Sequence, residues 1–228
     1  MIVIKNNGLR KAVKIAIPFL LIPAAIAAGI FLFDEKQYAF ISLTVAILSL
    51  ALFIAGFEKR QTGTRRLIIV AVMVAFSVVG RFIPLFKPIT ALTIITAIYL
   101  GGEAGFMVGS LSAVISNFYF GQGPWTPFQM FSWGMIGLIA GFLYLPLKKS
   151  RVFLLVFGFL SGIIYSIVMD SWTVLWYNQS FDLTLYLAAL GTALPYTIMY
   201  SVSNVIFLVL FAKPFGEKLE RIKLKYGI

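Results

Sequence analysis

This sequence predicts an all-α, polytopic bundle of membrane-spanning helices with both termini on the cytoplasmic side, and three observations point to it. Apolar residues make up 61% of the 228 positions and charged residues 12%, with a mean hydropathy of +0.97. An ordinary soluble domain is about 45–50% apolar and about 25% charged, and a globule of this size leaves too much surface in water to hide such an excess. The apolar residues fall in runs about as long as a bilayer is thick, without the two-residue alternation a transmembrane barrel needs throughout. The cations, finally, are shared unevenly between the two sides those runs define.

Eight runs are read as helices, roughly 12–33, 38–57, 67–86, 88–101, 104–120, 127–147, 152–176 and 184–212. The first follows Lys5, Arg10 and Lys11. It is too long for the apolar region of a secretory signal and lacks a clear small-residue cleavage site, so a retained span is expected. The fourth is short and follows Pro88; the sixth opens at Pro127, which suits proline in a first helical turn. Pro195 is expected to kink or break the eighth. An even number of spans puts both termini on one side. That side then holds 16 of the 19 Lys and Arg residues, and the other keeps only Lys36, Arg81 and Lys87. Such a bias sets orientation. The net charge of +11 therefore reads as topology and attraction to anionic headgroups, not as nucleic-acid binding.

Composition divides the chain. Residues 1–57 form a two-helix unit of mostly Ala, Ile, Leu and Phe; a basic cytoplasmic linker, 58–66, leads into a six-helix core at 67–213; a charged cytoplasmic tail, 214–228, closes the sequence. All four Trp and 13 of the 19 Gly lie in the core. Absences exclude chemistry. Without Cys or His there is no thiolate, no imidazole base and no HExxH zinc helix. No GxxxxGK[ST] loop is present, so no nucleotidase of that kind is expected in the chain, and neither a metal nor a cofactor is called for.

Four constellations stand out. Ala71 and Ala75, four apart in the third run, are a small-xxx-small pair that lets another helix come close; ordinary packing inside the bundle is the plainer reading of so loose a pattern. The stretch from Ser116 to Gly134 places two Gly and two Pro within seven residues, which specifies a rigid turn. Around it stand Tyr119, Trp125 and Trp133 with the amides Asn117, Gln122 and Gln129. Amides offer donors and acceptors without the desolvation cost of a charge, so this reads as a platform for an uncharged, partly flat molecule; an interfacial aromatic belt is the alternative. Arg81, about 21 Å along its run, and Asp170, in the outer third of an otherwise apolar run, are intramembrane charges and hence functional candidates, or else a structural ion pair. Glu103 reads as a loop charge. Gly105–Gly109 and Gly137–Gly141 read as close helix packing.

At these residues the sequence resembles the S components of energy-coupling factor (ECF) transporters, small membrane subunits that capture vitamins. The resemblance covers about 66–213 and rests on Ala71-x-x-x-Ala75, Lys87-Pro88, the Gly101-Gly102 turn and above all SNFYFGQGPWTPFQMFSWGMIGLIAG. That last block is similar to the cobalamin branch. The two helices before residue 58 depart from the family's six-helix plan.

The resemblance implies a binding subunit, not an enzyme, in the cell membrane of a bacterium. It would take cobalamin or a related corrinoid on the outer face, through Arg81, Lys87, Asn117, Tyr119, Gln122, Trp125, Gln129, Trp133 and Asp170. It would then topple and deliver the ligand inward with a transmembrane coupling subunit and two cytosolic ATPases, Ala71 and Ala75 meeting the coupling subunit. Another vitamin or a queuosine-type precursor is the nearest alternative. A lipid-modifying intramembrane enzyme is the alternative from another class, and it lacks convergent catalytic groups.

Overall fold

The computed structural model describes residues 6–32, 38–56, 60–178 and 180–227; Lys5, Lys36, Glu58 and Lys59 lie outside them. Helix α1 (Asn7–Ala16) continues through a π-helical turn (Ile17–Leu21) into α2 (Ile22–Leu32), and α3 (Tyr38–Ala55) completes the N-terminal unit. The core comprises α4 (Arg60–Gly80), α5 (Ile89–Leu100), α6 (Gly102–Phe120), α7 (Thr126–Phe142), the short α8 (Tyr144–Lys149), α9 (Arg151–Asn178) and α10 (Leu183–Tyr226). All eight runs are thus built on helix. Among the described residues, Asn7–Gly29, Arg151–Asn178 and Leu183–Tyr226 are long and apolar enough to cross a membrane alone.

Local chemistry sets the ends. The Asn6 side chain accepts from the Gly8 and Leu9 amides, and the Asp182 carboxylate accepts from the Leu185 amide at 2.9 Å; both satisfy N–H groups that a first turn leaves free. Pro127 occupies the first turn of α7, as expected. Pro195, however, does not break α10, which runs on through Pro195 and Pro214.

Three other boundaries differ from the hydropathy reading. The basic linker is helical from Arg60 although Gly63 and the Thr on either side of it are weak helix formers, because the apolar run beyond it carries the helix. The third run stops at Gly80, so Arg81 is not inside a helix but opens the turn that leads to Pro88. The C-terminal tail is the last part of α10, docked by an ion pair from Lys148 to Glu220 (2.6 Å) and by burial of Gly216 and Leu219.

The core is centred on α5, a helix of 12 residues of which all but Tyr99 are buried. At about 18 Å it is too short to cross a bilayer, and a helix apolar on every side belongs inside a bundle; α4, α6, α7 and α10 surround it. The α6–α7 pair packs backbone to backbone, as its glycines predicted. A Cβ on Gly137 would stand 2.4 Å from the Gly105 carbonyl carbon, and one on Gly109 2.5 Å from the Trp133 backbone. α3 lies on α6 and α7, so the N-terminal unit packs on the core. Lys14 and Glu103 join the two at 2.5 Å, which makes Glu103 a fastener rather than a loop charge.

Cations collect at one end. Arg65 donates to the Tyr226 carbonyl at 2.9 Å and Lys223 to that of Tyr99 at 3.4 Å; Arg66 reaches the Leu100 carbonyl. The Glu220 carboxylate holds the Lys148 ammonium above its ordinary range.

Candidate functional site

The opposite end carries a small polar cavity of about 60 Å³ between the Arg81–Pro88 turn and helices α5, α7, α9 and α10. Arg81, Lys87, Ile89, Thr90, Gln129, Trp133, Gly162, Tyr165, Tyr200 and Asn204 line it. Its rings are ordered: Trp133 stacks on Tyr165 with centroids 4.9 Å apart and planes 14° from parallel, and Tyr200 meets Tyr165 edge-on at 5.8 Å. Offset stacks of this kind are favourable beyond the area they bury, and they present a flat apolar wall to whatever enters.

A hydrogen-bond chain fixes that wall. Arg81 Nη1 donates to Ser116 Oγ and Asn117 Oδ1, each at 2.5 Å. Asn117 Nδ2 donates to Thr126 Oγ1 and Gln129 Oε1, each at 2.8 Å, and Gln129 Nε2 donates to the Tyr165 hydroxyl at 3.1 Å. One buried network therefore runs from the cation to the stacked ring. A connected network of this kind, satisfied at every link from Arg81 Nη1 to the Tyr165 hydroxyl, holds the rings in one arrangement. Helix packing does the rest. The close approach at Gly109 sets the depth of Trp133, and Gly162 lets α10 come in at Ser201, where a Cβ would stand 2.7 Å from its backbone.

Of the nine substrate residues expected from the sequence, Arg81, Lys87, Gln129 and Trp133 line the cavity. The others stand around it. Asn117 is fully buried in the network just described. Gln122 donates to the Val114 carbonyl at 2.8 Å and accepts from Thr126 at 3.1 Å, which closes the α6–α7 turn. Trp125 lies over Gly123 and packs edge-on to Trp172 at 6.0 Å. Tyr119 is 72% exposed, in a ring cluster with Phe82 and Phe120. Asp170 accepts from Ser166 at 3.2 Å and makes no ion pair with Arg81. The amides thus frame the site more than they face it.

Beyond Ile89, Thr90 and Gly162, the sequence reading missed three lining residues, Tyr165, Tyr200 and Asn204. Each is a polar group inside a long apolar run, and that is the signal that could have found them. Lys87, in the turn outside the helices, has its ammonium held below its ordinary range, first by burial and then by Arg81.

A second feature lies at the basic end. The outer face of α4 and the last turns of α10 enclose an apolar groove of about 450 Å³, lined by Ile68, Val72, Phe76, Phe215, Leu219 and Ile222 among others. Ala71 and Ala75 are exposed on that helix, so they do not pack inside the bundle.

Residues 61–221 match the family model described as ECF-type riboflavin transporter, S component, well over half of the chain. The chain belongs to this family. It is a multi-pass membrane protein and the substrate-binding S component of an ECF transporter, and its role is binding rather than catalysis. S components work with a transmembrane coupling subunit and ATPase subunits. No curated protein and no solved structure matches the chain.

Proposed function

We propose that this S component captures a flat heteroaromatic vitamin of the riboflavin type at the outer face of a bacterial cell membrane. The ring would lie along the Trp133–Tyr165 wall, and a coupling subunit with two ATPases would carry it inward. The observation that supports this most is the ordered wall itself, a planar aromatic surface with hydrogen-bonding groups at its edge. Flat rings carrying donors and acceptors on their rim suit such a surface. The name of the matching family points the same way.

The cavity of about 60 Å³ is well below the roughly 300–1,000 Å³ of small-molecule sites. Capture therefore requires the Arg81–Pro88 turn, which brings Arg81 and Lys87 into the lining, to move aside. Cobalamin is the second reading, favoured by the SNFYFGQGPWTPFQM block. A corrinoid is much larger than a flavin and would demand a correspondingly greater opening, and the amides of that block are engaged within the protein. The exposed Ala71 and Ala75 would seat the coupling subunit.

Calorimetric titration of the purified chain decides between the ligands. One-to-one binding of riboflavin with none of cobalamin is expected. Binding of cobalamin alone would install the second reading, and binding of neither would remove both.

A further inference from the structure

The cavity has a charge imbalance that a neutral ligand does not resolve. Arg81 and Lys87 both line it, and no carboxylate does among the described residues. Arg81 is 9% exposed, its Nη1 is occupied by Ser116 and Asn117, and its Nε is buried without a hydrogen-bond partner. Buried guanidinium donors are normally paired, because an unmade bond to a charged group costs the full desolvation of that group.

What does face the two cations is aromatic. Arg81 lies 4.8 Å from the Phe120 ring centroid and 5.7 Å from that of Trp133, and the Lys87 ammonium lies 5.5 Å from Phe120. Ring faces stabilise a cation only modestly and accept no conventional hydrogen bond. Asp170, the buried carboxylate of α9, is engaged by Ser166. Burial first, and then Arg81, holds the Lys87 ammonium below its ordinary range.

We infer that the natural ligand carries an anionic group, a phosphate or a carboxylate, which docks on Arg81 Nε and the Lys87 ammonium while its ring lies along Trp133. This rests on the outer cavity being the substrate site, and it departs from the uncharged ligand that the amide-rich turn suggested. A guanidinium with an unpartnered donor and a half-buried ammonium lining the same cavity suit either oxyanion, which gains charge-assisted bonds about twice as strong as neutral ones.

The test is to titrate the full-length protein in lipid nanodiscs with ligand pairs that differ in the anion alone: riboflavin 5′-phosphate against riboflavin, pantothenate against pantothenol, and biotin against biotinamide. In parallel, thermal unfolding is followed with inorganic phosphate at constant ionic strength. In any pair that binds, the anionic member should bind at least tenfold more tightly. That preference should disappear in Lys87→Met and in Arg81→Gln; Lys87→Met leaves the Arg81–Asn117 bond in place and covers the case in which Arg81→Gln fails to fold. Inorganic phosphate should raise the unfolding midpoint of the wild type and not that of Lys87→Met.

Equal or tighter binding of a neutral partner overturns the inference, and so does a preference that survives in Lys87→Met. If no pair binds, a phosphate shift that is absent, or the same in both proteins, overturns it. Riboflavin binding as well as its phosphate would sink the anion and leave the flavin reading intact. An anionic vitamin that binds where both flavins fail would do the reverse.

Discussion

Two hollows at opposite ends of the core differ in what they are made of. At the Arg81 end the cavity is small and lined by two cations, two amides and stacked rings, with polar atoms fixed by a continuous network. At the basic end the groove between α4 and α10 is several times larger, apolar and open along a helix whose small residues face outward. A site that must tell one small molecule from another needs fixed polar groups, since a missing hydrogen bond discriminates far better than a missing methylene. A surface that receives another membrane helix needs shape and small residues, because inside lipid helices associate mainly by close packing. On the proposed function, selection falls to the first end and assembly to the second.

The most severe way to break that contrast is to remove the frame both ends share. Gly137→Leu drives a side chain into the Gly105 backbone; overpacking of this kind costs about 3 kcal/mol or more. The expected outcome is loss of monodisperse protein in size-exclusion chromatography, with ligand binding and assembly failing together.

Trp133→Ala separates the ends. It removes the flat wall, and vitamin affinity should fall about 100-fold, the equivalent of roughly 2.7 kcal/mol. Co-purification with the coupling subunit should persist.

The double change Ala71→Leu with Ala75→Leu is the mirror experiment. It raises bulk on the exposed face of α4, and assembly with the coupling subunit should weaken about tenfold in a pull-down titration. Vitamin binding to the isolated S component should stay within about twofold. If it fell as far as assembly, the two ends would not be independent.

The smallest effect belongs to the fastener of the N-terminal unit. Glu103→Gln removes the ion pair to Lys14, whose side chains are 17% and 33% exposed, and partly solvated pairs contribute about 0–1 kcal/mol. The melting midpoint should drop by only a few degrees, with vitamin binding and assembly unchanged.

How far this was legible in the sequence varies with the kind of signal. Hydropathy located every long helix, because lipid demands long apolar segments with internally bonded backbone, though it merged the short α8 with α7 in the run 127–147. It overran at Arg81, since Phe82, Ile83 and Leu85 are apolar yet lie in the turn beyond Gly80; an average over a window cannot see a helix end. The Gly spacing in α6 and α7 foretold their close approach.

The site was only half visible. Arg81, Lys87, Gln129 and Trp133 stood out as charges or as members of one dense turn. Tyr165, Tyr200 and Asn204 come from helices remote in sequence, and their convergence depends on helix rotation, which local pattern does not fix. Asn117 and Gln122 looked like ligand contacts because nothing in a sequence separates an amide that bonds a guest from one that bonds its neighbours. Ala71 and Ala75 went the other way: the commoner outcome for such a pair is internal packing, and here both face outward.

A structure of the chain solved with bound flavin tests the division of labour most directly. The account predicts ring density within van der Waals contact of Trp133 and Tyr165, the Arg81–Pro88 turn displaced, and the groove between α4 and α10 unchanged. Flavin density seated in that groove, with the Trp133–Tyr165 stack undisturbed, would contradict it.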